Sequence, residues 1–257
     1  MDLGIAGLRV LVTAGASGIG LEMVRAFRRE GAVVHTCDIN RDALAQVAAA
    51  EGVTTSLCDV TDRDQVAALF KDTQKSLGGL DCLVNNAGIA GPTGRVDEID
   101  PADWDRCLAV CITGQFNCAR LAVPLLKASA NASIINLSSA AGKFGFPLRS
   151  AYAAAKWGVI GFTKTLAMEL GGNGIRCNAI LPGPVDGDRI RQVIEAKARA
   201  GNVSFAAMQD EVLGNASIKA FIQPQQLADL AVFLASPRAR TISGQAHSVD
   251  GDMQSLA

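Results

Sequence analysis

The chain has 257 residues, 49% apolar and 19% charged, which suits one large α/β domain with a substantial core and excludes global disorder. A formal charge of −1 with no run of five basic residues argues against a nucleic-acid partner. Seven cysteines without a Cys-x-x-Cys pair, and only two histidines, point to free thiols in a reducing, cytoplasmic setting and away from metal centres and histidine triads.

Residues 1–7 have no basic flank or long apolar run, so no signal peptide is expected. Leu8 to Ala14 is a short apolar run rich in β-branched residues and predicts a buried strand. It ends in Gly15-Ala-Ser17-Gly18-Ile19-Gly20, after which the pattern is helical through Glu30. Strand, glycine turn and helix form the context of a dinucleotide site: missing side chains let a pyrophosphate approach the backbone, and the helix N-terminus faces its charge. The second strand, Ala32 to Asp38, places Asp38 at its C-terminal end, 18 residues past Gly20, with Ile39 next. A carboxylate there accepts both ribose hydroxyls and repels a 2′-phosphate, which predicts NAD over NADP; the alternative for Asp38 is a helix cap. His35 alternates within this strand and is expected to be structural.

A helix over Arg41 to Glu51, a strand over Thr54 to Val60, a helix over Asp62 to Leu77 and a strand over Asp81 to Asn85 continue the alternation. A long helix from Pro101 to Lys127 carries Trp104, Leu108, Phe116 and Leu121 at apolar positions, and Cys107, Cys111 and Cys118 could share one of its faces. Ser133 to Ser138 is the fifth strand, Tyr152 to Leu170 a helix, Ile175 to Leu181 the sixth strand, Gln225 to Ala235 a helix and Gly244 to Gly251 the seventh strand and exit. The helix from Tyr152 carries Lys156, Lys164 and Glu169, so no transmembrane span is expected. Residues 186–222 are more polar, with helical pieces, and suit a substrate lid. The pattern predicts a single domain over residues 1–257: a Rossmann-type, doubly wound, parallel seven-stranded sheet in a three-layer α/β/α sandwich. In such sheets ligands gather at the C-terminal strand ends, where Asp59, Asn86, Ala87, Gly88, Ser139 and Pro182 all fall.

Tyr152 and Lys156 stand four apart on one helix face, and Tyr152 is the only tyrosine in the chain. A fixed ammonium nearby favours the phenolate form, as does the positive end of a helix that Ser150 would cap. Ser139 offers a hydroxyl that both donates and accepts, able to hold a substrate oxygen while the phenol moves a proton.

With these residues in hand, the sequence resembles the classical short-chain dehydrogenase/reductase family over nearly its whole length. The marks are Thr13-Ala-Gly-Ala-Ser-Gly-Ile-Gly20, Asp59, Asn85-Asn-Ala-Gly88, Ser139, Tyr152-x-x-x-Lys156 and Pro182-Gly183. The resemblance implies a homotetramer and hydride transfer with NAD(P), Tyr152 as acid/base, Ser139 steadying the reacting oxygen and Lys156 on the nicotinamide ribose. It implies that Asp59 with Val60 contacts adenine, Asn86 the adenosine ribose region and Val185 the carboxamide. Three positions depart from the pattern: Ala14 replaces the first motif glycine, Cys111 the asparagine that supports a water chain to the lysine, and Gly187 a threonine after Pro-Gly.

The expected function is an NAD-dependent oxidoreductase interconverting a secondary alcohol and a ketone, with a small-molecule substrate and neither a nucleic-acid nor a membrane partner. The alternative is an NAD-binding scaffold with weak or no catalysis because of Cys111. Pocket walls are expected at residues 90–96, 140–149 and 186–221. There Lys143, Arg149, Arg189 and Arg191 raise the idea that one cation meets an anionic substrate group.

Overall fold

The computed structural model describes residues 2–256. Seven strands, β1 (Arg9–Thr13), β2 (Val33–Asp38), β3 (Thr54–Leu57), β4 (Cys82–Asn85), β5 (Ser133–Leu137), β6 (Arg176–Pro182) and β7 (Ala246–Val249), form one sheet. Every pairing is parallel and the order is β3-β2-β1-β4-β5-β6-β7. Helices α1 (Gly18–Arg29), α2 (Arg41–Glu51), α3 (Arg63–Leu77), α4 (Pro101–Leu108), α5 (Gly114–Leu126), α6 (Ser150–Leu170), α7 (Asp188–Gly201), α8 (Phe205–Gly214) and α9 (Pro224–Ala235) complete the chain.

The central strands are buried on both faces, so they read as continuous apolar runs rather than alternating ones. Alternate residues feed two cores. Val10, Val12, Val84 and Ile135 pack with Met23, Phe27, Leu227 and Ala231. Leu11, Leu83 and Ile134 pack on the other face with Leu69, Phe70, Cys118, Ala122 and Leu166. The order in which successive strands are laid down reverses between β1 and β4, which opens a crevice at their C-terminal ends. The glycine turn after β1 and the Asn86 segment after β4 border it. Helix starts reflect side-chain chemistry: Asn40, Asp62 and Asp100 accept backbone N–H groups at the starts of α2, α3 and α4, and Gly52 and Gly78 close α2 and α3 in left-handed conformation.

Several expectations need correction. The helix expected from Pro101 to Lys127 is two helices joined by a π-turn over Ala109–Thr113, and Phe116 is 43% exposed. Over Pro101–Leu126 this pair has the length and mean hydropathy, 1.3, to cross a membrane, a property that the charges on α6 do not address. Two of its polar side chains are nonetheless buried on backbone carbonyls, Gln115 on Leu137 and Asn117 on Val60. Cys107 and Cys111 share a small cluster while Cys118 lies in the sheet core, because the π-turn rotates α5 relative to α4. Ser150 is the first residue of α6 and not its cap; Arg149 holds that position. Asp38 does not cap α2, since Asn40 does. Strand β3 ends at Leu57, short of Asp59 and Val60.

His35 is structural. Ser56 Oγ donates to Asp72 at 2.8 Å, so it accepts from His35 Nε2 at 3.0 Å, and Nδ1 then accepts from Thr54 Oγ1 at 2.7 Å. Burial pushes this imidazole down to about 4, against a smaller opposing pull from Asp72.

Candidate active site

A cleft of about 370 Å³ opens at the C-terminal edge of β1, β4, β5 and β6. It is lined by Ser17, Gly18, Ile19, Gly20, Asn86, Gly88, Ser139, Tyr152, Lys156, Pro182, Gly183 and Val185. Residues from five separate stretches of chain therefore meet at the strand ends, where a parallel sheet gathers its ligands.

At the glycine turn, Ser17 precedes α1 without a side-chain hydrogen bond to the helix, which leaves the first N–H groups facing the cleft. Gly20 has no room for a side chain: a methyl there would stand 2.5 Å from Asn86 Nδ2 and overlap the Ala14 carbonyl oxygen. Asn86 Nδ2 donates to the carbonyls of Thr13 and Ala14, both at 3.0 Å. Thr13 Oγ1 accepts from the N–H groups of Asn86 and Ala87, tying β1 to β4 across the crevice. Ala14 sits at φ 53°, in the left-handed region, where its methyl is a strain that the glycine expected there would lack. Asp38 stands beside this turn, with Oδ2 accepting from Ala16 N at 3.2 Å and Oδ1 from Asn40 N at 3.1 Å.

The other expected cofactor residues lie outside the cleft lining. Gly15 packs against Thr36. Ile39 is exposed, and Val60 and Ala87 are buried. Asp59 Oδ1 accepts from both the N–H and the hydroxyl of Thr61, at 2.9 and 2.8 Å.

At the other end of the cleft, Ser139 Oγ accepts from Ala141 N at 3.1 Å, leaving its hydrogen to donate. Lys156 Nζ donates to Leu137 O at 2.8 Å and lies 5.6 Å from the centroid of the Tyr152 ring. Ser138 Oγ donates to Lys156 O at 2.8 Å, which pins α6 to the end of β5. Deeper down, Asn85 donates to Asn136 and Asn136 to Thr163, each at 2.9 Å, so a polar ladder spans β4, β5 and α6 beneath the reactive groups.

A family model described as enoyl-(acyl carrier protein) reductase matches residues 13–254. The chain belongs to the short-chain dehydrogenase/reductase family. It is 37% identical over 248 residues to a 3-oxoacyl-[acyl-carrier-protein] reductase of Thermotoga maritima, covering 95% of this chain and 96% of the relative. Among solved structures it matches an actinorhodin polyketide ketoreductase variant with NADPH at TM-score 0.89 and 31% identity, covering 94% and 95% of the two chains. An NAD+-bound xylitol dehydrogenase matches at TM-score 0.92 and 26% identity, covering 96% and 99%. These proteins are oxidoreductases of hydroxyl and ketone substrates, and a nicotinamide dinucleotide is the cofactor the comparisons support.

In this short-chain dehydrogenase/reductase the departure at Cys111 has a structural answer. The thiol lies in the π-turn, where Sγ donates to Ile89 O and accepts from Ile89 N, both at 3.5 Å. The thiol thus donates once and accepts once here, each more weakly than an amide would. A hydrogen bond with Cys107 lowers the Cys111 pKa, and Lys156 adds to that. Gly187 has φ 142° and nothing near its missing side chain.

Sequence reasoning placed residues 186–221 in the pocket wall without singling out Lys197, which comes from the buried side of α7, and it missed Met253 and Leu256 of the C-terminal tail. The tail reaches the cleft through long-range pairing, with Ala216 bridged to Met253 and Gln254 N bonded to Asn215 O at 2.8 Å. No local pattern announces such contacts.

Proposed function

We propose that this protein is an NAD-dependent oxidoreductase interconverting a secondary alcohol and a ketone through Ser139, Tyr152 and Lys156. The observation carrying this reading is Lys156 Nζ held at Leu137 O and 5.6 Å from the Tyr152 ring centroid, in the cleft that Ser139 and the glycine turn share. The uncapped start of α1, and Gly18 on the cleft lining with open space where its side chain would stand, fit a dinucleotide pyrophosphate. Tyr152, Lys156, Gly183 and Val185 line the wall where the nicotinamide half would lie. When bound, the cofactor supplies the hydride acceptor or donor. The chain supplies the rest: Ser139 directs its free hydrogen at the substrate oxygen, and the Tyr152 hydroxyl takes or gives the proton there. Lys156, with Nζ 5.6 Å from the ring centroid, places a positive charge beside the group that handles the proton. Asp38, with both oxygens already oriented by backbone N–H groups, supports NAD as the partner.

Tyr152→Phe tests this reading. Turnover on a panel of alcohols and ketones monitored at 340 nm should fall by about 10²- to 10⁴-fold, with NAD affinity within a few-fold of wild type. A variant keeping most of its activity would remove Tyr152 from the reaction.

The alternative, an NAD-binding scaffold weakened by Cys111, is separated by the same panel: wild type that binds NAD but turns over none of the alcohols or ketones would favour it. The reading extends to a homotetramer, supported by exposed Phe116, Trp157 and Met168 on α5 and α6. A monomer in sedimentation equilibrium at micromolar concentration would refute that extension.

A further inference from the structure

Arg149 stands three residues before Tyr152, at the start of α6, and is 2% exposed on the cleft lining. Its guanidinium carbon lies 5.4 Å from the Tyr152 ring centroid and 5.3 Å from that of Phe146. Nη2 donates to Ala90 O, whereas Nε and Nη1 have no hydrogen-bond partner. Among the described residues no carboxylate lies within ion-pair distance of it. A buried, uncompensated guanidinium is costly, and an arginine cannot escape by losing its proton.

A second cation faces the same space. Lys197 is buried on the cleft side of α7, with Nζ 5.3 Å from the Phe146 centroid, so one aromatic ring packs against both positive groups. Arg189 Nη2, on the facing rim, donates to Gly88 O at 2.8 Å. Two acids line the same cleft without reaching Arg149: Asp186 pairs with Arg191 at 3.6 Å, and Asp188 is exposed at the start of α7; Glu211 attracts Lys197 from the exposed side of α8.

We propose that Arg149 receives an anionic group of the substrate, a carboxylate, and that the substrate is therefore a short hydroxy acid or its keto acid. The proposal rests on the oxidoreductase reading above and specifies its substrate class. Either free nitrogen, together with the second hydrogen on Nη2, forms the two-pronged donor that matches a carboxylate. The substrate oxygen must lie about 2.7 Å from the Tyr152 hydroxyl and the anion about 2.8 Å from the guanidinium. With the two side chains this close, only a few carbon atoms separate the reacting carbon from the acid. Phe146 covers the apolar stem between them.

The test uses the full chain with NAD. Rates at 340 nm are compared for 2-hydroxybutyrate, 3-hydroxybutyrate and 4-hydroxypentanoate, each against its methyl ester. At least one acid should exceed its ester in kcat/KM by roughly 30-fold or more, and Arg149→Met should cut that ratio by a similar factor, mainly through KM. Calorimetry of acetoacetate against methyl acetoacetate on the NAD+-loaded wild type, a pairing that cannot turn over, needs no variant and should show binding of the acid alone. Esters used as well as acids, with no preference in calorimetry, would overturn the proposal and leave the oxidoreductase reading intact. Binding of the acid without turnover of any compound would do the reverse.

Discussion

Asp38→Asn isolates the cofactor preference. The carboxylate is half-buried at the end of β2, with Oδ2 on Ala16 N and Oδ1 on Asn40 N, so it cannot swing away from a 2′-substituent. Asparagine keeps the size and one acceptor oxygen while removing the charge. Two unit charges ~4 Å apart interact by ~4 kcal/mol at an effective dielectric of ~20, and solvent at this rim screens roughly half of that. The variant also loses charge assistance in its hydrogen bonds to the ribose hydroxyls, ~1 kcal/mol. The sum, ~3 kcal/mol, is about two orders of magnitude in the ratio of kcat/KM for NAD over NADP. Initial rates with both cofactors on one alcohol measure it, and dissociation constants of the two dinucleotides provide a check independent of substrate. Wild type preferring NADP, or a variant whose ratio moves less than about threefold, would refute the charge argument.

Two further outcomes concern stability. Ala14→Gly relieves a left-handed alanine, worth about 1–2 kcal/mol, against roughly 0.4–1 kcal/mol of added chain entropy in the unfolded state. Thermal denaturation should show a Tm rise of about 1–3 °C, and a fall would contradict the strain. The folded His35 value, about 4, lies below its unfolded value of 6.5, so the unfolded chain binds the extra proton first on acidification. The stability this histidine contributes is present above pH 6.5 and is lost as pH falls toward 4. In urea unfolding, wild type should lose about 2 kcal/mol more than His35→Gln between about pH 7.5 and 5, and equal losses would exclude the linkage.

Much of the architecture was legible because its signals are local. The run from Arg9 to Thr13, the glycine turn and the Tyr152–Lys156 spacing each state their structure within a few residues. The break in the long helix was not, since the π-turn at Ala109–Thr113 occurs in a sequence with good helical periodicity and no proline nearby. Phe116 reads as core because periodicity finds apolar faces but not what covers them. Arg149 was visible as a pocket cation, but its burial and its two unmatched nitrogens depend on Phe146 and Tyr152 folding over it, which spacing alone does not encode. The positive φ at Ala14 was likewise hidden, because a single methyl looks harmless in the text of a sequence.

The stitching of the C-terminal tail to the end of α8 has a practical corollary. Ser217 pairs with Asp252 at 2.6 Å, Ser255 with Asn215 at 2.9 Å, and Ile218 N reaches Gly251 O at 2.9 Å, while Met253 and Leu256 form part of the pocket wall. This part of the pocket wall is thus built from two stretches of chain that are fastened to each other. A chimera that imports residues 186–222 from a relative but keeps the native tail after β7 would receive helices without their matching latch.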